Sequence, residues 1–404
     1  MGQAVLAPPP PEFMQQAPPS FIPTGTNLLA TMPPLTPAPS ATVPEWLDWG
    51  PVRLRPHVLE RFLYGDGIPA RRGEQFKTAI NEFSPGMALE LGNHWRLDYT
   101  PTLRFYSSSQ FRDTLDHSVL FSGGTTYDDW SLGLSHTFAS SSQPLAETAS
   151  QTDQETYVTA LSAAYHMSSK MSLELGLNQN FRFVAQNQSA QQLNDSREWS
   201  TLDWLNYQFW PRFGAAIGVG FGYVNVSAGS DMTYEQLQGR INWRAGEKLS
   251  FVLNAGFDER QFIDANAPDL LNPIFGLSAL YQLTETTTLS ATASRAVSAS
   301  YFQNQVTETT DLSGTLRQRF FGKLYLDLTG GYRVTTYEAT IRTAFFLINL
   351  NREDDYVFFN ARLTATILKR GTAAIFYQAS DNSSNVSGFK YSSNQVGLEL
   401  GYRL

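Results

Sequence analysis

The chain alternates apolar and polar residues from Val52 almost to its last residue. Over Trp95–Phe105 the odd-numbered positions hold Trp, Leu, Tyr, Pro, Leu and Phe, and the even-numbered positions hold Arg, Asp, Thr, Thr and Arg. The same period of two runs through Met171–Phe183, Leu324–Val334 and Val396–Leu404. Because successive side chains of a strand point to opposite faces, this pattern predicts long strands with one apolar and one polar face.

About eighteen such segments follow one another along the chain. Their predicted spans are 52–65, 76–92, 95–108, 113–126, 129–139, 154–168, 171–185, 197–210, 212–227, 232–245, 248–262, 272–283, 287–298, 305–320, 324–337, 355–368, 372–380 and 389–404. Most exceed about ten residues, which is long enough to cross a bilayer at a tilt.

The predicted connections differ between the two ends of these strands. After even-numbered strands they are tight, as at 93–94, 127–128, 169–170, 210–211, 246–247, 284–286, 321–323 and 369–371. After odd-numbered strands most are longer, at 66–75, 140–153, 186–196, 263–271, 299–304, 338–354 and 381–388. An even strand count with short turns at one end is typical of a bacterial outer-membrane barrel. The sequence therefore predicts an all-β, antiparallel, up-and-down transmembrane β-barrel over residues 50–404, with both termini in the periplasm.

Residues 1–49 have a different composition from the rest of the chain. Residues 1–45 hold 12 of the 21 prolines, contain no Lys or Arg, and show no apolar period. This composition predicts a disordered, Pro-rich periplasmic tail, either a plain linker or a strip that a periplasmic partner binds. The tail lacks the basic and apolar regions of an intact signal peptide. Whether a signal peptide was removed stays open.

Composition excludes several classes of protein. Charged residues make up 16% of the 404 residues and aromatic residues 13%, where a soluble domain carries about 25% charged residues. The sequence contains no run of about 18 apolar residues, which is what a membrane-spanning helix requires. The absence of cysteine removes disulfides and thiol chemistry, and the net charge of −8 argues against nucleic acid. A soluble sandwich is disfavoured because only six lysines occur, four of them at predicted turns.

The polar strand faces are expected to line the barrel interior. Their candidate pore-lining residues are Arg53, Arg55, Arg61, Arg96, Asp98, Arg104, Glu174, Arg182, Arg240, Asp258, Arg260, Asp311, Arg317, Arg319, Asp327 and Arg333. Arginines outnumber carboxylates in this set. Either the excess makes the interior select anions, or the arginines pair with the carboxylates and brace the wall.

Two further patterns carry little chemistry. Gly218, Gly220 and Gly222 share the predicted inner face of one strand, without the strand-turn-helix context of a dinucleotide loop. They predict extra interior space and strand bending, or a seat for an inward-folded loop. The five histidines show no metal-ligand spacing, and no nucleophile, base and orienting group gather at one rim. We therefore expect no enzyme activity, no cofactor and no metal.

Two stretches resemble known proteins. The closing strand Val396–Leu404 resembles the last strand of outer-membrane barrels, which guides their assembly. The opening Trp49–His57 with Arg61–Gly67 resembles the β-barrel porin type 2 families of Gram-negative bacteria. The last strand departs from the usual assembly signal by ending in Leu. The resemblance implies an outer-membrane pore, and some relatives are linked to exopolysaccharide export.

Three functions remain open at this point. The first is passive diffusion of small hydrophilic solutes, with or without anion preference. The alternatives are a conduit for exopolysaccharide export and a plugged structural or adhesive barrel. The expected partners are outer-membrane lipid and lipopolysaccharide, small hydrophilic solutes, a periplasmic partner for the tail and, as a homotrimer, further copies of the chain.

Overall fold

The computed structural model describes residues 47–185, 193–263, 269–303, 305–339, 352–367 and 370–404. They form nineteen strands: β1 Asp48–Trp49, β2 Val52–Arg71, β3 Glu74–Leu91, β4 Trp95–Tyr106, β5 Thr114–Tyr127, β6 Trp130–Leu145, β7 Ser150–His166, β8 Met171–Val184, β9 Ser196–Trp210, β10 Phe213–Val226, β11 Met232–Arg244, β12 Leu249–Phe262, β13 Leu270–Gln282, β14 Thr287–Ala299, β15 Gln305–Phe320, β16 Leu324–Ala339, β17 Arg352–Ile367, β18 Gly371–Ser384 and β19 Tyr391–Arg403. Within these ranges no helix has the length and hydropathy that a membrane crossing requires.

Strands β2 to β19 form a closed cylinder. Each pairs antiparallel with its neighbours in the chain, and β19 pairs with β2, where Val396 lies opposite Tyr64 and Arg403 opposite His57. The short β1 pairs with the start of β2 across a tight turn. Closure gives the backbone groups partners that hydrocarbon does not provide. The predicted 18-strand up-and-down barrel is confirmed. Most of the predicted tail, residues 1–46, lies outside the described residues, so the boundary at 49/50 stays a prediction.

The barrel carries its apolar side chains outside and its charged side chains inside. Phe221, Leu312 and Leu398 are 55–56% exposed on the outer face. Arg104 and Asp258, on the interior face, are 2% and 0% exposed. A soluble protein shows the reverse distribution of charged and apolar residues. The outer face is therefore the face that meets lipid.

Aromatic residues mark both rims of this apolar belt. At the short-turn end Trp95 stacks on Phe121 and Trp243 on Phe251, with ring centroids 5.3 and 5.8 Å apart. At the other end, outward tyrosine hydroxyls bond to polar side chains in the pairs Tyr157–Glu155, Tyr223–Asp231, Tyr332–Asp355 and Tyr377–Asn394. Two aromatic rims bounding an apolar band are typical of barrels in outer membranes.

At the short turns, the observed strand ends lie within two residues of the predicted ends. At the opposite end of the barrel, two of the predicted loops are wrong. Residues 66–75 are mostly strand, because β2 and β3 stay paired up to a turn at 72–73. Residues 140–153 are also mostly strand, and β6 pairs with β7 as far as Leu145 and Ser150. In β2 a bulge at Gly67, with φ +76°, replaces regular pairing. A Cβ at this position would lie 1.8 Å from the Ser392 carbonyl oxygen, so only glycine fits.

The tip of the β14–β15 hairpin leaves the wall and lies inside the barrel. The ladder between β13 and β14 ends at Phe275 and Arg295, beside Pro273, which suits a strand edge because it has no N–H. Beyond this point Val297 and Val306 are each 1% exposed, although strand alternation assigns them to the outer face. They pack in one apolar cluster with the interior residues Val224, Met232 and Tyr234. The hairpin tip therefore fills part of the interior.

Candidate functional site: the barrel interior

All sixteen predicted pore-lining residues occupy interior-facing positions in the structure. They are Arg53, Arg55 and Arg61 on β2; Arg96, Asp98 and Arg104 on β4; Glu174 and Arg182 on β8; Arg240 on β11; Asp258 and Arg260 on β12; Asp311, Arg317 and Arg319 on β15; and Asp327 and Arg333 on β16. The chain's strict alternation of faces places them there. Whether they line a conducting path stays a prediction.

Most of these arginines form ion pairs along the wall. Pairs within the predicted set are Arg96–Asp98 at 2.5 Å, Arg240–Glu174 at 2.6 Å, Arg260–Asp258 at 2.8 Å, Arg317–Asp327 at 2.6 Å and Arg333–Asp311 at 2.7 Å. Others use carboxylates outside it: Arg55–Glu90 at 2.7 Å, Arg61–Glu82 at 3.5 Å, Arg53–Asp48 at 3.7 Å, and Arg104 with Glu82 at 2.7 Å and Asp116 at 2.6 Å. This pairing favours the hypothesis that arginines brace the wall.

Two predicted arginines differ from the rest. Arg182 donates to the backbone carbonyls of Ala299 and Ser300, in the hairpin tip that lies inside the barrel. Arg319 forms no ion pair with any residue that the structure describes. The acidic partners Glu82 and Asp116 were absent from the predicted set, although the alternation of β3 and β5 places both on the interior face.

The interior also carries aromatic rings, which the alternation of apolar and polar residues does not predict because it assigns polar residues to that face. Trp204 on β9 and Tyr234 on β11 each lie opposite a glycine of β10. A Cβ on Gly218 would lie 2.6 Å from the Trp204 indole, and one on Gly222 would lie 2.1 Å from the Tyr234 ring. The G-x-G-x-G segment thus gives these rings room to lie flat against the wall.

An arginine covers each of these two rings. The guanidinium carbon of Arg240 lies 4.4 Å from the centroid of the Trp204 ring, and that of Arg260 lies 4.6 Å from the Tyr234 ring. Both distances allow cation–π attraction. We call the group of Gly218, Trp204 and Arg240 the Trp204 stack. The group of Gly222, Tyr234 and Arg260 is the Tyr234 stack.

Folded-in segments narrow the end of the barrel opposite the short turns. Glu147, in the turn between β6 and β7, accepts hydrogen bonds from the Ser300 hydroxyl and the Tyr301 backbone N–H, both at 2.7 Å. The Tyr301 hydroxyl donates to Gln154 Oε1 at 2.6 Å. Strands β7 and β14 are seven strands apart in the cylinder, so these two tips meet across its interior.

Arg352, at the start of β17, holds these segments together. Its guanidinium donates to the Glu147 backbone carbonyl at 2.8 Å and pairs with Asp354. The guanidinium carbon lies 3.4 Å from the Phe389 ring centroid and 4.3 Å from that of Tyr337. We call the contacts of Glu147, residues 300–302, Arg352 and Phe389 the constriction. No local sequence pattern pointed to it.

Burial sets the ionisation of Glu147. Desolvation raises the pKa of its carboxyl group above the usual range, and this outweighs the Arg182 and Arg352 charges and the two hydrogen bonds, which lower it. Oε2 of the same carboxyl is buried and has no hydrogen-bond partner among the described residues. The buried carboxyl group therefore favours its neutral form more than an exposed glutamate does.

Within the described ranges no three His, Asp or Glu side chains come together as metal ligands.

A closed wall, an apolar outer belt between two aromatic rims and a charged interior together define a transmembrane β-barrel of the outer-membrane type.

Comparisons with known proteins add structural likeness only. No family model matches the sequence, and no curated protein matches it. The chain is similar to OccK2 (OpdF) of Pseudomonas aeruginosa, solved in complex with glucuronate, with 12% identity, TM-score 0.47, and coverage of 87% of this chain and 98% of that one. It is also similar to Pseudomonas aeruginosa OpdO, with 12% identity, TM-score 0.44, and coverage of 87% and 97%. A third similar structure is Acinetobacter baumannii OccAB3, with 9% identity, TM-score 0.44, and coverage of 87% of this chain and 99% of that one.

Proposed function

We propose that this protein is a channel of a bacterial outer membrane through which small hydrophilic solutes diffuse passively. The observation that carries the proposal is a closed 18-strand wall with an apolar outside and a polar, arginine-rich inside. At 18 strands a barrel is too wide for wall side chains alone to fill. Outer-membrane lipid and lipopolysaccharide would then contact the belt, and solutes would contact the interior.

Single-channel recording tests this function directly. Purified, folded full-length protein added to a planar lipid bilayer should give discrete current steps in KCl. The matched control is Gly239→Ala, an outward position of β11 where an added Cβ would lie 4.0 Å from the Ala255 carbonyl oxygen, an ordinary contact, and this variant should give the same steps. A folded protein that inserts into the bilayer and never conducts contradicts the proposal.

Anion preference is the finer part of the proposal. Arginines outnumber carboxylates within the predicted set, but their pairing with carboxylates inside and outside that set reduces the field that a permeating ion meets. We therefore expect a weak preference for chloride in a KCl gradient. Arg182→Gln and Arg319→Gln, which leave every described ion pair intact, should reduce the reversal potential. A cation preference in the wild type would contradict this part.

The constriction favours a second candidate, a plugged barrel with a structural or adhesive role. Its tips are joined by hydrogen bonds and by the buried Arg352. If this candidate holds, the wild type stays silent in bilayers, and Arg352→Ala, which releases the Glu147 carbonyl, gives it conductance. Equal conductance of both proteins would leave only the first candidate.

A further inference from the structure

The Trp204 stack contains two buried donors that the protein leaves unused. The Trp204 indole N–H and the Arg240 Nε–H have no hydrogen-bond partner among the described residues. Both side chains are buried, with 2% and 5% exposure. Buried polar groups almost always have partners. Nε of Arg55, Arg61, Arg96, Arg182 and Arg295 also lacks a described hydrogen-bond partner, but in the Trp204 stack such a group lies beside an unpartnered indole N–H. This combination marks a place where acceptor oxygens are missing.

An accessible acceptor lies beside these donors. Arg240 Nη2 donates to Glu174 Oε2 and to Asn206 Oδ1, each at 2.6 Å. The Glu174 side chain is 39% exposed, so its carboxylate can also accept hydrogen bonds from the interior space. The wall therefore presents donors, an acceptor and an aromatic ring within one small area.

We propose that Trp204, Arg240, Glu174 and Asn206 form a binding site for a hydroxyl-rich, sugar-like solute in transit through the barrel. This inference rests on the proposed channel function. A hydroxyl group can accept from the two unused N–H groups and donate to Glu174, whereas a carboxylate solute would meet the negative charge of Glu174. The flexible Arg240 side chain moves off the indole, and the solute's apolar face takes its place.

The Tyr234 stack is the matched comparison within the same chain. The Tyr234 hydroxyl donates to Glu198 at 2.5 Å. Arg260 donates to Asp258 at 2.8 Å and to the Val297 carbonyl at 2.7 Å, and none of its nitrogens is left without a partner. The geometry of glycine, ring and guanidinium is the same, but no donor is free. The Tyr234 stack should therefore bind no solute.

Maltotriose is the probe for this site in single-channel recordings of the full chain. It should interrupt the wild-type current in proportion to its concentration. Trp204→Phe keeps a ring and removes the N–H, and Arg240→Lys keeps the charge and removes Nε. Each substitution should weaken the affinity of maltotriose, measured from the concentration that gives half of the maximal block, about fivefold. This is the effect expected from the loss of one hydrogen bond. Maltotriose should block the Tyr234→Phe variant as strongly as it blocks the wild type. Citrate, a carboxylate probe, should block far less than maltotriose.

The other possible results distinguish a failure of the proposed binding site from a failure of the proposed channel function. Conductance without a maltotriose block, a block that both variants retain, or a stronger block by citrate overturns the site and leaves the channel standing. A wild type that never conducts contradicts the channel. In that case maltotriose is titrated against tryptophan fluorescence in detergent, with Trp204→Phe as the baseline. A change lost in that variant supports the site, and no change overturns it.

Discussion

The Trp204 stack and the Tyr234 stack share one construction and differ in what surrounds it. Both place a ring flat on a glycine of β10 and cover it with an arginine of β11 or β12. The Tyr234 stack is tied to the hairpin tip inside the barrel through the Val297 carbonyl. The Trp204 stack is tied to a partly exposed carboxylate and keeps two unused donors. The same arrangement can therefore brace a wall or, as we propose, receive a solute.

The largest difference is expected when each arginine loses its charge. Arg260→Met leaves the buried Asp258 carboxylate without its counter-charge, with only the Gln236 amide still donating to it among the described residues, which should lower the free energy of unfolding by about 3–5 kcal/mol. Arg240→Met leaves the partly exposed Glu174, which water can solvate, and should cost about 1 kcal/mol or less. Guanidinium chloride unfolding in detergent micelles, followed by tyrosine and tryptophan emission, measures both. Equal losses would remove the distinction between the stacks.

The glycines beneath the rings give the next effect. Gly222→Val forces away a ring that Glu198 and Arg260 hold in place, and overpacking of this kind costs about 1–3 kcal/mol. Gly218→Val displaces an indole that can turn into the interior, so it should cost less stability and reduce conductance. Unfolding and single-channel current are measured on both, with Gly239→Ala as the neutral control. A larger stability loss for Gly218→Val would contradict this order.

The pH response should reach the constriction. Because burial raises the pKa of Glu147, its contribution to the constriction is complete below about pH 4.5 and is lost as pH rises through the raised value. Arg182, Arg352, Tyr301 and Tyr337 are the charged or titratable groups near it. The open time of single channels should increase with pH in the wild type and stay constant in Glu147→Gln. An unchanged pH response in that variant would assign it to other groups.

The smallest effect concerns the ring substituents. Trp204→Phe removes an N–H that has no partner among the described residues, so stability should change by less than about 1 kcal/mol, in either direction. Tyr234→Phe leaves the buried Glu198 without its donor and should cost about 1–3 kcal/mol. Both values come from the same unfolding experiment. A clear loss in Trp204→Phe would show that its N–H is bonded in the folded protein.

The sequence predicted the barrel because the pattern that specifies it is local. Alternation fixes which face each residue occupies, and tight turns such as the one at Gly92, with φ +60°, end the strands where predicted. At the opposite end the polar residues of β6 and β7 led to the prediction of a loop. In the structure they form paired strands that end in a tip inside the barrel. Their polarity reflects the interior they enter and not an exposed connection.

The site could be predicted only in part, for a related reason. The glycine pattern of β10 was visible in the sequence, but the rings above Gly218 and Gly222 come from the two neighbouring strands. Their placement depends on register, which couples residues distant in sequence. The constriction is less accessible still, since Glu147 and Tyr301 are 154 residues apart and no repeat or motif connects them.

The placement of Trp204 gives strands β2–β19 two populations of indoles. Trp95, Trp130, Trp199, Trp210 and Trp243 occupy lipid-facing positions of the barrel, and Trp204 is the tryptophan that the described strands direct inward. A brominated lipid should quench the first group and spare the second. In a variant that carries Trp46→Phe and Trp49→Phe, which removes the two tryptophans that precede β2, the residual emission then follows the interior of the working protein without any attached dye.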